Sequence, residues 1–569
     1  MLWSMVSVAS SVHPLNTLLP MAFTVLGMVS FVNAIGNNVF NGCTELATLT
    51  IDHSTDDLTL GYNTDDTEGP FYESALAKLT LNRQINYPFT GKLPSDVDEG
   101  AFATDDGTLT DVTLGDQVTT LSAYMFAKAG MPTVDLNKVT TIQKGVFCNS
   151  QITSIAIPNT VETIGMDAFY GCELLHTVNI QDGTSTLTIG SQENFWSYGP
   201  FYDSPLAKVH IGRDISYYAS PNYWELGLLA TKKYNAVDEV TVTLSNNVKT
   251  LHGYMFSNLK LKSITIPASV TYIRDNAFTD CDYLNTVVFE EGDTPLKIDA
   301  QYITSTVTYW GPFYDSPLTS ITLGREIEYY KRDVGSVSAP DEKNDGLFAT
   351  EENVETLSVT LTDKVKTLSP YMFAGTSLKE ITIPASVTSI SNDAFTDCDD
   401  LHTVIISESD EPITISTQSG EWAPFYDSPL STIKLYRNVV YKNEKGADFT
   451  PDTKNEGLFC NEETGNVASV SVSIGAQVNA ISDFMFSKLN IEAIWIPREV
   501  TSIGKSAFAG CSKFLGLTCN HTTPPTLGAG AFDECVKFGY INVLEEAKTA
   551  FEKAPGWSEH ASKLTTWKP

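Results

Sequence analysis

Basic residues and long apolar runs are both scarce in this chain. Its 569 residues include 36 Lys and Arg against 69 Asp and Glu, which gives a formal net charge of −33. This charge repels phosphate backbones and anionic lipid surfaces, so we expect no nucleic-acid partner. The longest apolar run covers residues 21–32, well short of the roughly 20 residues that cross a bilayer. No membrane insertion is predicted.

Charge is also missing from the amino terminus, where the first 44 residues contain no Asp, Glu, Lys or Arg. A secretory signal begins with basic residues, and Pro14 and Pro20 interrupt the apolar stretch. Residues 1–22 are therefore interpreted as either a leader or a truncated start.

Catalytic and metal-binding motifs are absent as well. The nine cysteines include no C-x-x-C pair, and the eight histidines include no H-E-x-x-H. The G-x-S-x-G turn of many hydrolases does not occur. The GKS at residues 504–506 lacks the first glycine of a phosphate-binding loop, because position 499 is Glu. We expect no cofactor, no metal and no enzymatic activity.

Repetition dominates what the chain does contain. Proline-marked segments such as ITSIAIPNTV recur with spacings of 109, 117 and 113 residues, which indicates four super-repeats. Each super-repeat holds one version of an eight-residue phrase. These versions are GPFYESAL at 69–76, GPFYDSPL at 199–206 and 311–318, and APFYDSPL at 423–430.

A shorter period lies inside the super-repeat. In AFTDCDYLNTVVF (277–289) and GPFYDSPLTSITL (311–323), a Phe and a short turn precede a Leu-x-x-Ile-x-Leu-like pattern. The pattern fits the chain nineteen times, with Leu229 once in place of the Phe, and residues 23–39 resemble a worn twentieth copy. The leading apolar residues are Leu46, Leu76, Leu109, Met131, Ile152, Leu175, Leu206, Val237, Leu261, Leu284, Leu318, Val354, Leu378, Leu401, Leu430, Val467, Ile491, Phe514 and Phe538.

This spacing predicts a stacked solenoid. Apolar residues at i, i+3 and i+5 put a short strand's side chains on one inner face, and the Phe fills the opposite wall. One turn cannot bury that face alone, so turns must stack around a continuous core. Nineteen turns would extend over roughly 90 Å. GPFYDSPL is then one kind of turn, in which Ser316 takes the position of Cys281.

The segments AFTDCDYLNTVVF and IPASVTYIRDNAF resemble the BspA-like leucine-rich repeat, whose unit of about 23 residues reads AF-x-x-C-x-x-L-x-x-V-x-IP-x-S-V-x-x-I-G. The resemblance covers about residues 23–543 and implies a right-handed arc of about 19–20 turns with short parallel β-strands on one face. It also implies a short C-terminal helical cap at residues 544–569. Members are usually described as adhesins or binding proteins of host-associated or gut bacteria, so an extracellular or cell-surface location is expected.

Unequal turn lengths point to where binding would occur. The step from each IP turn to the next turn is 23 residues, whereas the steps around GPFYDSPL run from 29 to 37. Residues added to a stacked core must project as loops, and these loops carry rings suited to glycan stacking or protein contact. Alternatively, the rings cover the solenoid edge and are buried there. The candidate ligand-binding residues are Trp196, Trp310, Trp422, Tyr217, Tyr223, Trp224 and Tyr329.

Each super-repeat also contains an acid and an arginine ten residues apart. Four such pairs would suit a charged ligand stripe. We expect instead that each pair clamps its own loop across the strand, worth roughly 0–1 kcal/mol if exposed. The pairs are Glu73 with Arg83, Asp203 with Arg213, Asp315 with Arg325 and Asp427 with Arg437.

The cysteines are expected to be free. Four of them, at positions 172, 281, 398 and 511, follow one another at intervals of about four turns, or roughly 19 Å. A disulfide needs Cα atoms within about 7 Å. Only Cys511 and Cys535, on neighbouring turns, are able to meet. Small buried thiols that pack the turn are predicted. The cysteines that share one position of the turn are Cys43, Cys172, Cys281, Cys398, Cys511 and Cys535.

Two functions remain open on these observations. The first is a binding protein, an adhesin or a glycan or host-protein binder, whose partner is a host or bacterial surface protein or a glycan. The second is a structural spacer or display protein without a small ligand. Exposed, mutually adjacent tryptophans favour the first function, and buried tryptophans favour the second.

Overall fold

The computed structural model describes residues 33–568 except 38, 62–68, 90–99, 105–106, 191–198, 218–226, 230–238, 300–301, 304–307, 310, 314–315, 331–345, 349–355, 418–422, 444–456, 460–466 and 468. The chain divides into two compact units, Met1–Leu284 and Asn285–Pro569. Each unit is a repeat solenoid built from short parallel strands.

A turn of the solenoid contributes up to two strands in the described part of the chain. The first strand carries the Leu-x-x-Ile-x-Leu pattern, and its residues alternate between exposed and buried, as in Ser263–Ile266. The second strand is shorter and is centred on one buried apolar residue, as in Thr163–Ile164. A bend of a few residues, often beginning with Pro, separates the two strands.

The strands of the first unit form two series. First strands are Thr48–Ile51, Lys78–Leu81, Asp111–Leu114, Ser154–Ile157, Thr177–Ile180, Lys208–Ile211, Thr241–Leu244 and Ser263–Ile266. Second strands are Ala34–Ile35, Leu58–Leu60, Ile85–Asn86, Thr120–Leu121, Thr141–Ile142, Thr163–Ile164, Leu187–Ile189, Ile215–Ser216, Thr250–Leu251 and Tyr272–Ile273.

The second unit repeats this arrangement and adds one small hairpin. First strands are Thr286–Phe289, Ser320–Leu323, Ser358–Leu361, Glu380–Ile383, Thr403–Ile406, Thr432–Leu435, Ser471–Ile474, Ala493–Ile496, Gly516–Cys519, Tyr540–Leu544 and Leu564–Trp567. Second strands are Leu296–Asp299, Ile327–Tyr330, Thr367–Leu368, Ser389–Ile390, Ile413–Thr417, Val439–Asn443, Ala480–Ile481, Ser502–Ile503 and Thr526–Leu527. The antiparallel hairpin pairs Tyr302–Ile303 with Thr308–Tyr309.

Parallel pairing keeps equivalent residues directly above one another. Val178 lies between Ile155 and Val209, and Val209 pairs in turn with Val242. All four side chains are buried. A shift of one residue would expose the whole apolar set, so this register is strongly favoured. The stacked core predicted from the repeat pattern is confirmed.

A column of phenylalanines, here called the Phe spine, forms the opposite wall of each unit. Neighbouring ring centroids are 5.0 to 5.8 Å apart in the first unit, from Phe40 through Phe71, Phe102, Phe126, Phe147 and Phe169 to Phe201. In the second unit they are 5.2 to 6.2 Å apart, through Phe313, Phe348, Phe373, Phe395, Phe425, Phe459, Phe486, Phe508 and Phe532. Such pairs contribute about 0.5–1.5 kcal/mol beyond burial.

The backbone bends sharply on both sides of each spine residue. Asp203 and Asp427, two residues after their spine Phe, have φ angles of 62° and 57°. Asn276 and Asp393, two residues before theirs, have φ angles of 56° and 54°. Asn, Asp and Gly tolerate this left-handed conformation best, which explains their frequency at these two positions.

The carboxyl end closes the second unit with helical turns and a last strand. A 3₁₀ turn Glu545–Ala547, an α-helix Lys548–Lys553 and a 3₁₀ helix Trp557–Lys563 follow the strand Tyr540–Leu544. The ring of Trp557 is buried, and its indole N–H donates to the Pro525 carbonyl over 2.7 Å. The sequence predicts the short helix but not the strand Leu564–Trp567, which pairs with Tyr540–Leu544.

Candidate functional site

The acid and serine of GPFYDSPL have structural roles in this fold. Asp203 and Asp427 occupy left-handed turn positions, as Asn149 and Asp280 do in turns that lack the phrase. The hydroxyl of Ser204 donates to the Phe169 carbonyl over 2.8 Å. The phrase is therefore a variant of the ordinary turn, as the sequence indicates.

Cysteine performs the same task in other turns. The thiols of Cys281 and Cys398 donate to the carbonyls of Phe256 and Phe373, the phenylalanines of the preceding turns, over 3.1 and 3.0 Å. Eight of the nine cysteines lie in the described part of the chain, and all eight are free thiols. Burial raises the pKa of Cys172 and Cys398 to about 12. Cys172 and Cys398 are therefore packing groups rather than nucleophiles.

The expected acid–arginine clamp is wrong for Arg213 and Arg437. Both side chains are fully buried. The two terminal nitrogens of Arg213 donate to the carbonyls of Pro158, Asn159 and Val161 over 3.0, 3.3 and 2.7 Å. The guanidinium thus binds backbone carbonyls of an IP turn two strands away, and not the carboxylate ten residues before it.

Arg437 repeats this contact in the second unit. Its terminal nitrogens donate to the carbonyls of Ala385, Pro384 and Val387 over 3.0, 2.9 and 2.7 Å. The local reason is the shape of the intervening turn. In the first unit, residues 181–186 have no buried side chain between the strands of one turn. The guanidinium of Arg213 lies beneath residues 181–186 and also donates to the Ser185 hydroxyl over 3.2 Å.

Burial lowers the pKa of all four arginines. The pKa of Arg325 falls to about 10, because desolvation outweighs the nearby Glu290 carboxylate. For Arg83, the same desolvation is opposed by Asp56. A ligand at the surface cannot contact these buried guanidinium groups. The alternative interpretation of the acid–arginine pairs as a repeated charged binding site is therefore not supported.

The residue after each arginine forms a second repeated contact. A side-chain oxygen of this residue accepts two successive backbone N–H groups at the second strand of the next turn. Asp214 accepts from Lys249 and Thr250 over 2.6 and 3.1 Å, and Gln84 accepts from Thr119 and Thr120 over 3.1 and 3.0 Å. Glu326 and Asn438 make the equivalent contacts. The sequence signal is Arg followed by Asp, Glu, Asn or Gln, which the spacing analysis missed.

A polar cavity of about 530 Å³ opens beside the second strands of the first unit. Its lining consists mainly of hydroxyl, amide and carboxylate side chains, including Asp57, Asn86 and Asp116. Gln84 and Ser122 also line it, but both are bound to neighbouring backbone groups. The cavity is therefore largely a by-product of the contacts that join turns.

The predicted aromatic candidates have different positions. Tyr217 is buried, because it occupies the inward position just after the second strand, as Tyr87 does in another super-repeat. Tyr441 is buried as well, within the second strand Val439–Asn443. The backbone of Tyr329 pairs with Ile298 in a second strand. The remaining candidates lie outside the described residues; they are Trp196, Trp310, Trp422, Tyr223 and Trp224.

The long segments that carry those tryptophans leave the core unchanged. Lys208–Ile211 pairs residue for residue with Thr241–Leu244 across the insertion between them. Thr403–Ile406 pairs equally with Thr432–Leu435 across the segment that contains Trp422. The insertions therefore do not disturb the strand register, as expected of surface loops whose sequence the core does not dictate.

Exposed aromatic rings occur in places that the repeat pattern does not single out. Trp495, on a first strand, is 47% exposed, and its ring lies 5.1 Å from that of Trp567. Tyr283 is 51% exposed. An exposed Trp in IEAIWIP, where the other IP segments have Ala or Thr, is the signal that would have found Trp495.

Within the described ranges, no group of three or more His, Cys, Asp or Glu side chains is arranged to hold a metal ion. In the same part of the chain, no helix combines the length and apolar character needed to span a bilayer.

Comparison with protein families identifies one match. The BspA type leucine rich repeat region matches in six copies, over residues 95–219, 234–334, 344–445 and 464–554. No curated protein matches the chain.

Several solved structures are similar to the chain. A leucine-rich repeat protein from Bacteroides ovatus ATCC 8483 is 19% identical, with a TM-score of 0.33, covering 76% of this chain and 89% of that one. A leucine rich cell surface protein from Faecalibacterium prausnitzii A2-165 is 19% identical, with a TM-score of 0.21 and coverages of 71% and 83%. The pneumococcal vaccine antigen PcpA is 12% identical, with a TM-score of 0.19 and coverages of 91% and 92%.

Proposed function

Because the chain belongs to the BspA-type leucine-rich repeat family, we propose that it is an extracellular or cell-surface binding protein. Its partner is a glycan or a surface protein of a host or another bacterium. Contact is made by the aromatic insertions around the GPFYDSPL turns, through Trp196, Trp310 and Trp422 and through Tyr223 and Trp224. The family match indicates no catalytic family, and the proposed role is binding without catalysis.

One observation carries this proposal, namely that the insertions interrupt the sequence but not the strand register. Lys208–Ile211 and Thr241–Leu244 remain paired at every residue. Large aromatic side chains kept in segments that the core does not need are suited to contact with a partner. Similar solved structures include a protein described as a cell surface protein and one described as a vaccine antigen, in line with a surface location.

The alternative is a structural spacer that displays or separates other components. The burial of Tyr217, Tyr87 and Tyr441 is the observation in its favour, because these rings pack in the core. If the tryptophans of the insertions pack in the same way, the repeats alone constitute the function. The two proposals therefore differ in what loss of the tryptophans does to stability.

Replacing Trp196, Trp310 and Trp422 together by Ala is the direct test. We expect the triple variant to lose binding on a glycan and host-matrix protein array, while its urea unfolding midpoint stays close to that of the wild type. Single replacements should weaken binding only partly, because weak contacts on separate super-repeats act by multivalency.

The matched control is the double variant Tyr283→Ala and Trp495→Ala, which removes two exposed rings outside the insertions. This control should bind as the wild type does. Unfolding or aggregation of the triple variant would place its rings in the core and favour the spacer. Binding retained by a folded triple variant would exclude the insertions as the contact surface.

A further inference from the structure

The third residue after a spine Phe has a small side chain in most described turns, and these residues form a column that runs from turn to turn, with Leu489 as an exception. Cys511 and Cys535 are the members of this column on the last two spine turns. Their thiols donate to the carbonyls of Phe486 and Phe508, each over 3.0 Å. Both cysteines precede by five residues a pair of strand positions in register, Gly516 and Tyr540. The two thiols therefore occupy the same position on adjacent turns.

Neighbours in this column are in contact elsewhere in the chain. The Ser150 hydroxyl lies 3.6 Å from the Cys172 sulfur, and the Thr376 hydroxyl lies 3.6 Å from the Cys398 sulfur. In each case one member is oxygen, so no bond between the two is possible. At the last two turns both members are sulfur. Adjacent parallel turns are about 4.8 Å apart, inside the Cα separation of roughly 4.4–6.8 Å that a disulfide requires.

The two thiols differ in their access to solvent. Cys511 is fully buried, whereas Cys535 is only half-buried. The pKa of Cys535 is lowered, chiefly because the Cys511 side chain hydrogen-bonds to it. Burial instead raises the pKa of the other column members Cys172, Cys281 and Cys398. A half-exposed thiol with a lowered pKa is the one that reacts first with an external disulfide.

We propose that Cys511 and Cys535 form a reversible dithiol–disulfide site whose oxidant is a small-molecule disulfide. The Cys535 thiolate attacks one sulfur of that disulfide, which gives a mixed disulfide and releases one small thiol. The Cys511 thiolate then attacks the Cys535 sulfur and displaces the second small thiol. Two protons leave the protein thiols, and two electrons pass to the oxidant, which leaves as two thiols.

The bond joins the last two spine turns at the end that carries the terminal cap. Phe508 and Phe532, the spine residues of these turns, have ring centroids 5.8 Å apart, and Phe532 also contacts Trp557 of the cap. Closing residues 511–535 into a loop restricts the unfolded chain, so the oxidised form should resist opening of its carboxyl end. This site does not depend on the proposed binding function.

The test uses the full chain and oxidised glutathione as the probe. The protein is incubated with defined ratios of oxidised and reduced glutathione, alkylated in denaturant, digested and mapped by mass spectrometry. We expect a peptide pair joined through Cys511 and Cys535, the loss of two thiols, and full reversal by reduced glutathione. Oxidised protein should also show slower amide exchange in the strand Gly516–Cys519. Failure to find this pair under any ratio would overturn the proposal.

Two variants separate the steps. Cys511→Ser should stop at a mixed disulfide between Cys535 and glutathione, whereas Cys535→Ser should leave Cys511 unmodified in the folded protein. The matched control is Thr376→Cys, which places a second sulfur beside Cys398 at two buried positions. If that engineered pair is oxidised at least tenfold more slowly than Cys511 and Cys535, the result supports the role of the exposed Cys535 thiol in the first step. Equal rates, or glutathione on Cys511 in the Cys535→Ser variant, would contradict it.

Discussion

The buried arginines stabilise the turn through carbonyls, and the acid ten residues earlier has a separate role. Arg213 and Arg437 each donate to three backbone carbonyls of an IP turn, at distances between 2.7 and 3.3 Å. A planar guanidinium spans such a set of acceptors, which an ammonium does not. The acids Asp203 and Asp427 hold left-handed corners of the backbone.

Arg437→Met should therefore be far more harmful than a change at Asp427. The substitution keeps much of the volume but leaves the carbonyls of Pro384, Ala385 and Val387 without their donor. A buried acceptor left unsatisfied costs about 1–3 kcal/mol, so we expect a loss of roughly 3 kcal/mol or more in urea unfolding. Asp427→Asn, which tolerates the same backbone angle, is the control and should cost less than about 1 kcal/mol. Similar losses of stability in the two variants would instead support a direct pairing of Asp427 with Arg437.

At the level of the turn, one position joins successive turns in all four super-repeats. Ser122 and Ser369 donate through their hydroxyls to the carbonyls of Ile85 and Ile327, each over 2.8 Å, and Ser482 donates to that of Val439. The second super-repeat has His252 at this position, and its ring hydrogen-bonds the Ile215 backbone. Serine is neutral at every pH, whereas histidine gains a charge in mild acid.

His252 should make the first unit sensitive to mild acid. Burial, followed by the charge of Arg274, lowers the pKa of His252 below its ordinary value of 6.5. The unfolded chain therefore binds this proton more readily, and stability is lost as the pH falls from about 6.5 towards the folded-state pKa. His252→Ser should reduce the fall in unfolding free energy between pH 7.5 and about 5.5. His176→Ser, at an exposed position just before the strand Thr177–Ile180, is the control and should show the same pH dependence as the wild type. An unchanged pH dependence in His252→Ser would contradict the assignment.

The sequence predicts those parts of the turn that depend only on the position of a residue within the repeat. Phe395 and Cys398 could be assigned to the core because their spacing recurs in every turn. Burial of Arg437 could not, because its acceptors at Pro384 and Val387 lie about 50 residues upstream, and a bulged turn between them leaves room for the side chain. Tyr217 was misplaced for a related reason, since aromatic content alone does not distinguish an insertion from the inward residue at its edge. The final strand Leu564–Trp567 carries no Leu-x-x-Ile-x-Leu pattern.

On the scale of a whole unit, stability is transmitted along the stack from one turn to the next. Each ring of the Phe spine contacts mainly the rings before and after it, as Phe395 contacts Phe373 at 5.3 Å and Phe425 at 5.2 Å. Strands pair in the same serial order. A linear stack of this kind is described by local stabilities plus nearest-neighbour terms, so damage should be greatest close to its origin.

Phe395→Ala tests this serial transmission within the second unit. The ring is fully buried, so its removal leaves a cavity that should cost about 3–5 kcal/mol. We expect hydrogen exchange to accelerate most in Glu380–Ile383, Thr403–Ile406 and Thr432–Leu435, and least in Gly516–Cys519, which lies several turns away along the stack. Phe395→Leu is the matched control, because the chain already has the buried Leu229 in place of a spine Phe; it should retain most of the protection. Equal acceleration in every strand of the unit would mean that the unit opens as one cooperative body, and the nearest-neighbour description would then be wrong for this solenoid.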